Sequence, residues 1–350
     1  MQRLKNISAA LRGHLLQLAM FAAGLALLGW VFSWVHLSNL RAALTDLGPW
    51  AWALPSVYLF MTVWDIWGWR IIFEEQDRGL MRFKSLFLIH TACQAVNNIT
   101  PFVDVGGEFL KMRLVSRRFG LPNERVLSSI LIQRTMLFVS ENFFWALGLV
   151  PVFFVWDVSG RLRMILLAGA ALFTAMGAAL LWVQTKGIFM TLLGGFRIIG
   201  IDPEFIRKTG TTLAGTDEAI RAFYTARGRR WIASLALHFL GWVSGGLEVY
   251  WIFRLLGHPI GMAEAVTIEA LIQLIRTVSF YVPGNLGVQE GALALLAQWM
   301  GLHPSAGVMV SLLKRYRHLT WTLIGFGIWF MIELRFKFSG SRTHEQIDAV

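Results

Sequence analysis

The chain has a single cysteine, Cys93, among its 350 residues, so no internal disulfide can form and a disulfide-built scaffold is excluded. Charge is equally scarce. Asp, Glu, Lys and Arg make up 15% of the residues, against roughly 25% in soluble domains. That deficit excludes an ordinary water-facing fold, and composition also excludes collagen-like, coiled-coil and disordered chains. The signs of an active site are missing as well. No Gly-rich segment follows a strand pattern or precedes a Lys-Ser or Lys-Thr pair, which removes nucleotide loops. No serine sits in a nucleophile elbow. The eight histidines have no metal-ligand spacing; His90, His238 and His318 fall on apolar helices, where packing is the expected role. The expectation is no enzyme, no metal and no cofactor.

What is present is apolar. Hydrophobic residues are 56% of the chain and aromatics 13%, including sixteen tryptophans, and the mean hydropathy is +0.56. A bilayer core of about 30 Å takes about 20 apolar residues as helix. Such runs occur at 15–35, 50–72, within 126–154, and at 164–183, 231–253 and 308–332. Two further stretches are interrupted: 86–99 stops before Pro101, and 265–282 stops at Pro283. Each is followed by glycines (Gly106 and Gly107; Gly284 and Gly287) and a short apolar helix, 109–116 and 291–300. Pro and Gly at membrane depth are tolerated only where the backbone is buried in protein or lines a cavity. Both stretches therefore read as re-entrant hairpins turning at those prolines and glycines. The expected fold is all-α: a polytopic integral membrane protein with about six full spans and two oppositely oriented re-entrant helical hairpins. Trp30, Trp34, Trp50, Trp52, Trp64, Trp67 and Trp69 suit an interfacial belt.

The net charge of +11 follows from topology, since Lys and Arg collect in cytoplasmic loops; anionic lipid explains it better than nucleic acid. With a cytoplasmic N-terminus and hairpins that return to the side they left, basic residues crowd the inner segments 3–12, 70–84, 111–125 and 186–230 and the C-terminal tail. Outside fall Arg41, Arg161 and Arg163. Run 15–35 has no small-residue cleavage site, so no cleavable signal peptide is expected. Arg70 and Arg254, near span ends, are expected to snorkel. The polar stretch 184–230 reads as an interfacial linker on the inner leaflet. In it Asp217 would cap a helix running to about Ala226, with Ile220, Phe223 and Tyr224 as its apolar face.

The two hairpins resemble each other. TPFVDVGGEFLKMRL places Glu108 seven residues after Pro101, and VPGNLGVQEGALALL places Glu290 seven after Pro283. Downstream, 119–134 aligns without a gap to 300–315, pairing Gly120 with Gly301, Leu121 with Leu302, Leu131 with Leu312 and Arg134 with Arg315. Three full spans separate the hairpins, so one enters from the cytoplasm and the other from outside, as in transporters built from inverted repeats. The organisation is then 1–45, N-terminus and first span; 46–183, first repeat (hairpin 86–116) and an extra span; 184–230, linker; 231–337, second repeat (hairpin 265–300); and 338–350, cytoplasmic tail.

A charge at the centre of a spanning helix costs about 2.5–3.5 kcal/mol on insertion scales. Glu108 with Arg134, and Glu290 with Arg315, are expected to be close in space and to face a polar cavity. Such pairs suit a tie between broken helices as well as a substrate path. Further candidates on that path are Asp104, Lys111, Arg113, Glu141, Asn142, Arg276, Asn285, Lys314 and Arg317, and Asp65, Glu248 and Glu269 add intramembrane charge. Lys314, Arg315 and Arg317, three bases within four residues, call for an anionic partner.

NNITPFVDVGGEFLKMRLVSRRFG with the later LIQR, and VPGNLGVQEGALALLAQWMGL with the later LLKRYR, resemble the flippase-like transmembrane family related to the membrane half of bacterial lysylphosphatidylglycerol synthases. The more specific pattern stands as Pro283, Gly284, Gly287, Val288, Glu290 and Gly291. The likeness covers roughly residues 10 to 335, and departs from the family at Phe102, where a Gly is expected, and at the added Asp104. It implies translocation of a phospholipid, most characteristically an aminoacylated phosphatidylglycerol, between leaflets of a bacterial inner membrane with both termini cytoplasmic. The synthases also carry a large cytosolic aminoacyl-transferase domain. No segment here suits that domain, so lipid aminoacylation is not expected. On this resemblance anionic headgroups are gathered by Lys111, Arg113, Arg117 and Arg118, pass Glu108/Arg134 and Glu290/Arg315, and leave near Lys314 and Arg317. Alternatives are a carrier of a polyprenyl-phosphate or hopanoid-type lipid, an intramembrane lipid-modifying enzyme, or a scaffold for lipid-biosynthesis enzymes.

Overall fold

The computed structural model describes residues 41–347 apart from 42–43, 46, 100–105, 155–158, 190–202, 227, 280–281, 283–284 and 286. Among those residues all regular structure is helical, the economical state for backbone in hydrocarbon, where each unpaired N–H or C=O costs several kcal/mol. A single turn, Trp50–Ala53, and a 3-10 turn, Leu54–Ser56, lead into α1 (Val57–Ile72). The run 50–72 is thus not one regular α-helix, because Pro55 opens the 3-10 turn. The short α2 (Glu75–Leu80) precedes α3 (Phe83–Ile99) and α4 (Gly106–Phe119). Then come α5 (Asn123–Phe154), α6 (Gly160–Lys186) and α7 (Pro203–Ala226). The second half holds α8 (Gly228–Leu255), α9 (Met262–Val278), α10 (Val288–Trp299) and α11 (Pro304–Ile347). The first expected span, 15–35, lies outside the described residues.

Three described helices are long and apolar enough to cross a membrane: Asn123–Phe154, Arg163–Lys186 and Arg229–Leu255. The second of these leaves Met164, Ile165, Leu167, Leu172, Met176 and Trp182 exposed. A helix apolar on its outer faces is at home in lipid and not in water. The chain is a membrane protein. α11 is longer still, but Lys314, Arg315 and Arg317 lie in its first half, and their cost in hydrocarbon has to be met by partners.

Two apolar clusters form at opposite ends of α5. The first takes Val126, Ile130, Ile132 and Met136 from the start of α5, Ile66, Trp69 and Ile72 from the end of α1, residues along α3 from Leu86 to Val96, and Leu110, Leu114 and Val115 of α4. The second takes Leu149 and Val152 from the end of α5, Val249, Ile252 and Phe253 from the end of α8, Ala265 and Ile268 from the start of α9, Leu293 and Leu296 from α10, and Ala306 and Val310 from the start of α11. The helix pairs α3/α4 and α9/α10 therefore have their open ends in different clusters.

Packing between the halves is reciprocal. α3 lies against α11, α9 against α5, and α1 against α8. The first two of these contacts rely on close approach, as expected where helices associate in lipid without a hydrophobic drive. A Cβ on Gly148 of α5 would stand 2.2 Å from Ala270 Cβ of α9, and one on Gly325 of α11 would stand 2.5 Å from the Thr91 carbonyl oxygen of α3. Gly120 and Gly301, aligned in the sequence, end α4 and α10 with φ of +68° and +74°, a left-handed stop that favours glycine.

The linker differs from expectation. Asp217 does not start a helix: α7 begins at Pro203, and the Asp217 carboxylate accepts from the Phe189 backbone N–H at 3.2 Å, just beyond α6. Ile220 and Phe223 are fully buried in the first cluster, so α7 is seated on protein. Tyr224 donates to Gln184 Oε1 at 2.6 Å, and Gln184 donates to Thr135 Oγ1 at 2.5 Å, pinning α7 and α6 onto α5. Burial pushes the Tyr224 phenol up, which keeps it a donor. Arg70 donates to the carbonyls of Met81 (3.2 Å) and Arg78 (2.9 Å), satisfying the end of α2.

Valine at Gly148 or Gly325 is expected to cost about 1–3 kcal/mol by overpacking, measured as a lower unfolding temperature in detergent. Valine at Gly169, whose Cβ direction is open, should leave that temperature unchanged.

Candidate functional site

Arg134 stands about 16 Å along α5 and Arg315 about 16 Å along α11, at 1.5 Å of rise per residue. Each meets the glutamate of the preceding short helix. Glu108, in the first turn of α4, pairs with Arg134. Glu290, in the first turn of α10, accepts from Arg315 Nε at 2.5 Å and from its second guanidinium nitrogen at 3.1 Å. Two parallel bonds of this kind fix geometry as well as charge. Both acids occupy helix N-termini, where the macrodipole also favours a carboxylate. Arg134 keeps 35% of its side chain exposed and Glu290 keeps 23%, so neither pair is sealed.

The surroundings of the two pairs differ. Around Glu108, Lys111 Nζ lies 3.1 Å from Oε2, donates to Gln133 Oε1 at 3.3 Å and stands 4.9 Å over the Trp69 ring. Asn97 of α3 donates to Glu108 Oε1 at 3.3 Å, and its own oxygen accepts the Gly107 N–H at 2.7 Å. Around Glu290, Ser311 donates to Oε1 at 2.9 Å, Gln289 donates to Ser311, and the Gly287 N–H donates to Oε2 at 2.8 Å. Arg315 also donates to the Asn285 carbonyl at 3.2 Å, and Ser279 donates to the Asn285 side chain.

A third group is the most deeply buried. Lys314 Nζ lies 2.5 Å from Glu269 Oε2 and 3.4 Å from Glu248 Oε2, and Arg317 Nε lies 2.5 Å from Glu248 Oε1. Gln273 donates to the other Glu269 oxygen at 2.7 Å, and the Arg317 guanidinium sits 5.4 Å over the Tyr58 ring. All four charged side chains are at least 96% buried. Two acids and two bases cancel, so the anionic partner that Lys314 and Arg317 require is supplied by α8 and α9.

Other expected positions fall out differently. Lys111 is not at a surface mouth but buried beside Glu108. Arg113 is exposed and pairs with Glu333 of α11 at 3.4 Å. Glu141 accepts from Thr277 of α9 at 3.4 Å, Asn142 donates to the Phe138 carbonyl at 2.8 Å, and Arg276 is half-buried in the last turn of α9. Asp65 meets His238 rather than either glutamate–arginine pair. Gly106 and Gly107 are not a turn but the opening of α4; a Cβ on Gly107 would stand 2.1 Å from the Cys93 carbonyl oxygen. Gly287 does turn, at φ +78° before α10. Trp69 is fully buried, whereas Trp50, Trp52 and Trp67 are exposed and suit a belt. Pro101, Asp104, Pro283, Gly284, Trp30 and Trp34 lie outside the described residues.

Asn97, Gln133 and Ser311 belong to these sites without having been singled out, although Asn97 and Gln133 lie in the segments NNIT and LIQR. Gln133 had one available signal: in the ungapped alignment it stands opposite Lys314.

A family model described as lysylphosphatidylglycerol synthase TM region matches residues 15–327. Among curated proteins, a UPF0104 membrane protein of Methanothermobacter thermautotrophicus is 20% identical over 239 residues, 66% of this chain and 70% of the relative. Another UPF0104 membrane protein, from Methanocaldococcus jannaschii, is 22% identical over 249 residues, 70% of this chain and 73% of the relative. No solved structure matches the chain.

Removing one member of the buried group leaves the rest unbalanced, which typically costs 3–5 kcal/mol. Lys314→Met should therefore be strongly destabilised in a denaturation series. Combining it with Glu269→Gln, which restores balance, should recover part of the loss; additive losses would show that the charges do not interact.

Proposed function

The chain belongs to the lysylphosphatidylglycerol synthase TM region family, and from that premise we propose that it carries an intact phospholipid between membrane leaflets, without an enzymatic step. The observation that carries this reading is the pair of glutamate–arginine sites, each with its arginine about 16 Å along a long helix, each with its glutamate in the first turn of a short helix, and each partly exposed. A guanidinium held by a carboxylate in a pair that is partly open, through Arg134 in one and through Glu290 in the other, is suited to exchange that partner for a lipid phosphate, which it binds with the same fork geometry.

In this reading the two halves form an inverted repeat, and α3/α4 and α9/α10 are re-entrant hairpins opening to opposite leaflets. The separate apolar clusters at their open ends, the reciprocal packing of α3 on α11 and α9 on α5, and the matching left-handed glycines at 120 and 301 support it. The end holding the first cluster also carries Arg78, Arg82, Arg117, Arg118 and Arg125 and is assigned to the cytoplasm; at the other end Trp50, Trp52, Phe154 and Trp299 are exposed, as in an interfacial belt. Headgroups would be gathered at Arg117 and Arg118 and handed from Arg134 to Arg315. The buried Lys314–Glu248–Glu269–Arg317 group holds the walls of that path and is not its exit.

Reconstituted into proteoliposomes, the wild-type protein should move a fluorescent anionic phospholipid across the bilayer. Glu108→Gln and Arg315→Ala should lose most of that movement while remaining monodisperse; normal movement by both would remove the sites from the path. Topology is tested independently. In a Cys93→Ala background, Arg118→Cys and Gln298→Cys should react with an impermeant thiol reagent from opposite sides of the membrane. Labelling from one side would rule out the inverted hairpins.

A further inference from the structure

Two hydrogen bonds join the halves at corresponding places. Asn98 Nδ2 of α3 donates to Thr322 Oγ1 of α11 at 2.8 Å, and Thr277 Oγ1 of α9 donates to Glu141 Oε1 of α5 at 3.4 Å. Asn98 is the residue before the last of α3, and Thr277 the residue before the last of α9. Their acceptors are in register too. Glu141 lies seven residues beyond Arg134 and Thr322 seven beyond Arg315, two turns and about 10.5 Å along the same side of each long helix. Close packing holds both joints. Gly325, three residues past Thr322, admits Ala95, three before Asn98; Gly148, seven past Glu141, admits Ala270, seven before Thr277.

Each bond continues into a glutamate–arginine site. Beside Asn98, Asn97 donates to Glu108 and accepts the Gly107 N–H, so the end of α3 is tied both to α11 and to the first turn of α4. Two residues past Thr277, Ser279 donates to the Asn285 side chain, and the Asn285 carbonyl accepts from Arg315. One path therefore runs from Arg315 along α11 to Thr322, Asn98, Asn97 and Glu108. The other runs from Arg134 along α5 to Glu141, Thr277, Ser279, Asn285 and Arg315.

We propose that Thr322 with Asn98, and Glu141 with Thr277, are positioning residues that couple the two glutamate–arginine sites, so that loosening one site loosens the other. This deepens the transport reading and rests on it for its purpose, since there the two arginines hold the lipid in turn. A headgroup that draws Arg315 away from Glu290 shifts α11 at Thr322, and the shift reaches Glu108 through the two asparagines. The same holds in reverse through Glu141 and Thr277, because a coupling between two binding sites is reciprocal.

The first site contains a native reporter, Cys93, the single cysteine of the chain. It is buried on α3 one turn before Asn97, with its carbonyl against Gly107 of α4. The test is the rate at which N-ethylmaleimide labels Cys93 in the full chain in detergent, a measure of local opening there. Glu290→Gln, at the far site, should raise that rate about fivefold, the change that one ordinary hydrogen bond supports. In a Thr322→Val background, or in Asn98→Ala should the valine not fold, Glu290→Gln should add nothing. In a Thr320→Val background, which removes a hydroxyl bonded to the Tyr316 carbonyl within α11, the rise should remain. Should Glu290→Gln fail to fold, Arg315→Lys, which keeps the charge and loses the fork, takes its place. The second path is read at Leu293→Cys, buried on α10, in a Cys93→Ala chain. There Glu108→Gln should raise the labelling, and Thr277→Val should remove the rise. No rise from the far-site substitution, or a rise that survives the substitution at the joint, overturns the proposal. No lipid is moved in these measurements. Absent coupling beside normal lipid movement removes the coupling alone, and intact coupling beside absent movement removes the transport reading alone.

Discussion

An ionised side chain in hydrocarbon persists only beside its opposite, and this condition organises the middle of the molecule. Glu108 has Arg134 and Lys111, Glu290 has Arg315, and Glu248 and Glu269 have Lys314 and Arg317. Each contact joins different helices, apart from Glu108 to Lys111 within α4. The requirement to pair charges thereby becomes a requirement on helix placement. α4 must lie where Arg134 can reach its first turn, and α8 and α9 must both face the same side of α11.

Close packing meets the second condition, that helices which associate without a hydrophobic drive approach closely. The first helix of each short pair rests on the long helix of the other half, and a glycine at each crossing allows the contact. Each short pair is consequently held twice, by an ion pair to its own half and by van der Waals contact to the other. Separating either one exposes a charge and a helix face together, which couples electrostatics to packing.

The sequence made some of this legible. Glu108 and Glu290 stand out because an acid follows a Pro/Gly break at the same distance twice, and Arg134 and Arg315 because the ungapped alignment carries them to the same place. Buried charge in an apolar chain is rare enough that such coincidences have content. The Lys314 network was not legible. Its acids lie 66 and 45 residues away on other helices, and no local periodicity reports a contact of that separation. Lys111 looked superficial because Arg113, Arg117 and Arg118 follow it; the three-residue step back to Glu108 turns it inward instead. Likewise Asp217 has the chemistry of a cap, but the apolar side of α7 extends the helix through it and leaves the carboxylate to serve a neighbouring strand of chain. The 3-10 turn at Pro55 was signalled by the proline itself, yet hydropathy over 50–72 ran on undisturbed.

The two halves share a scaffold but not a charge pattern. The lysine beside the first glutamate comes from the same short helix, three residues on; in the second half the corresponding residue is Leu293, and the lysine has moved to the long helix, opposite Gln133. Architecture repeated with its ammonium group transplanted presents a different electric landscape at either end. The two carboxylates are therefore not interchangeable: Glu108 shares its charge between a guanidinium and an ammonium, whereas Glu290 is met by a guanidinium and neutral donors.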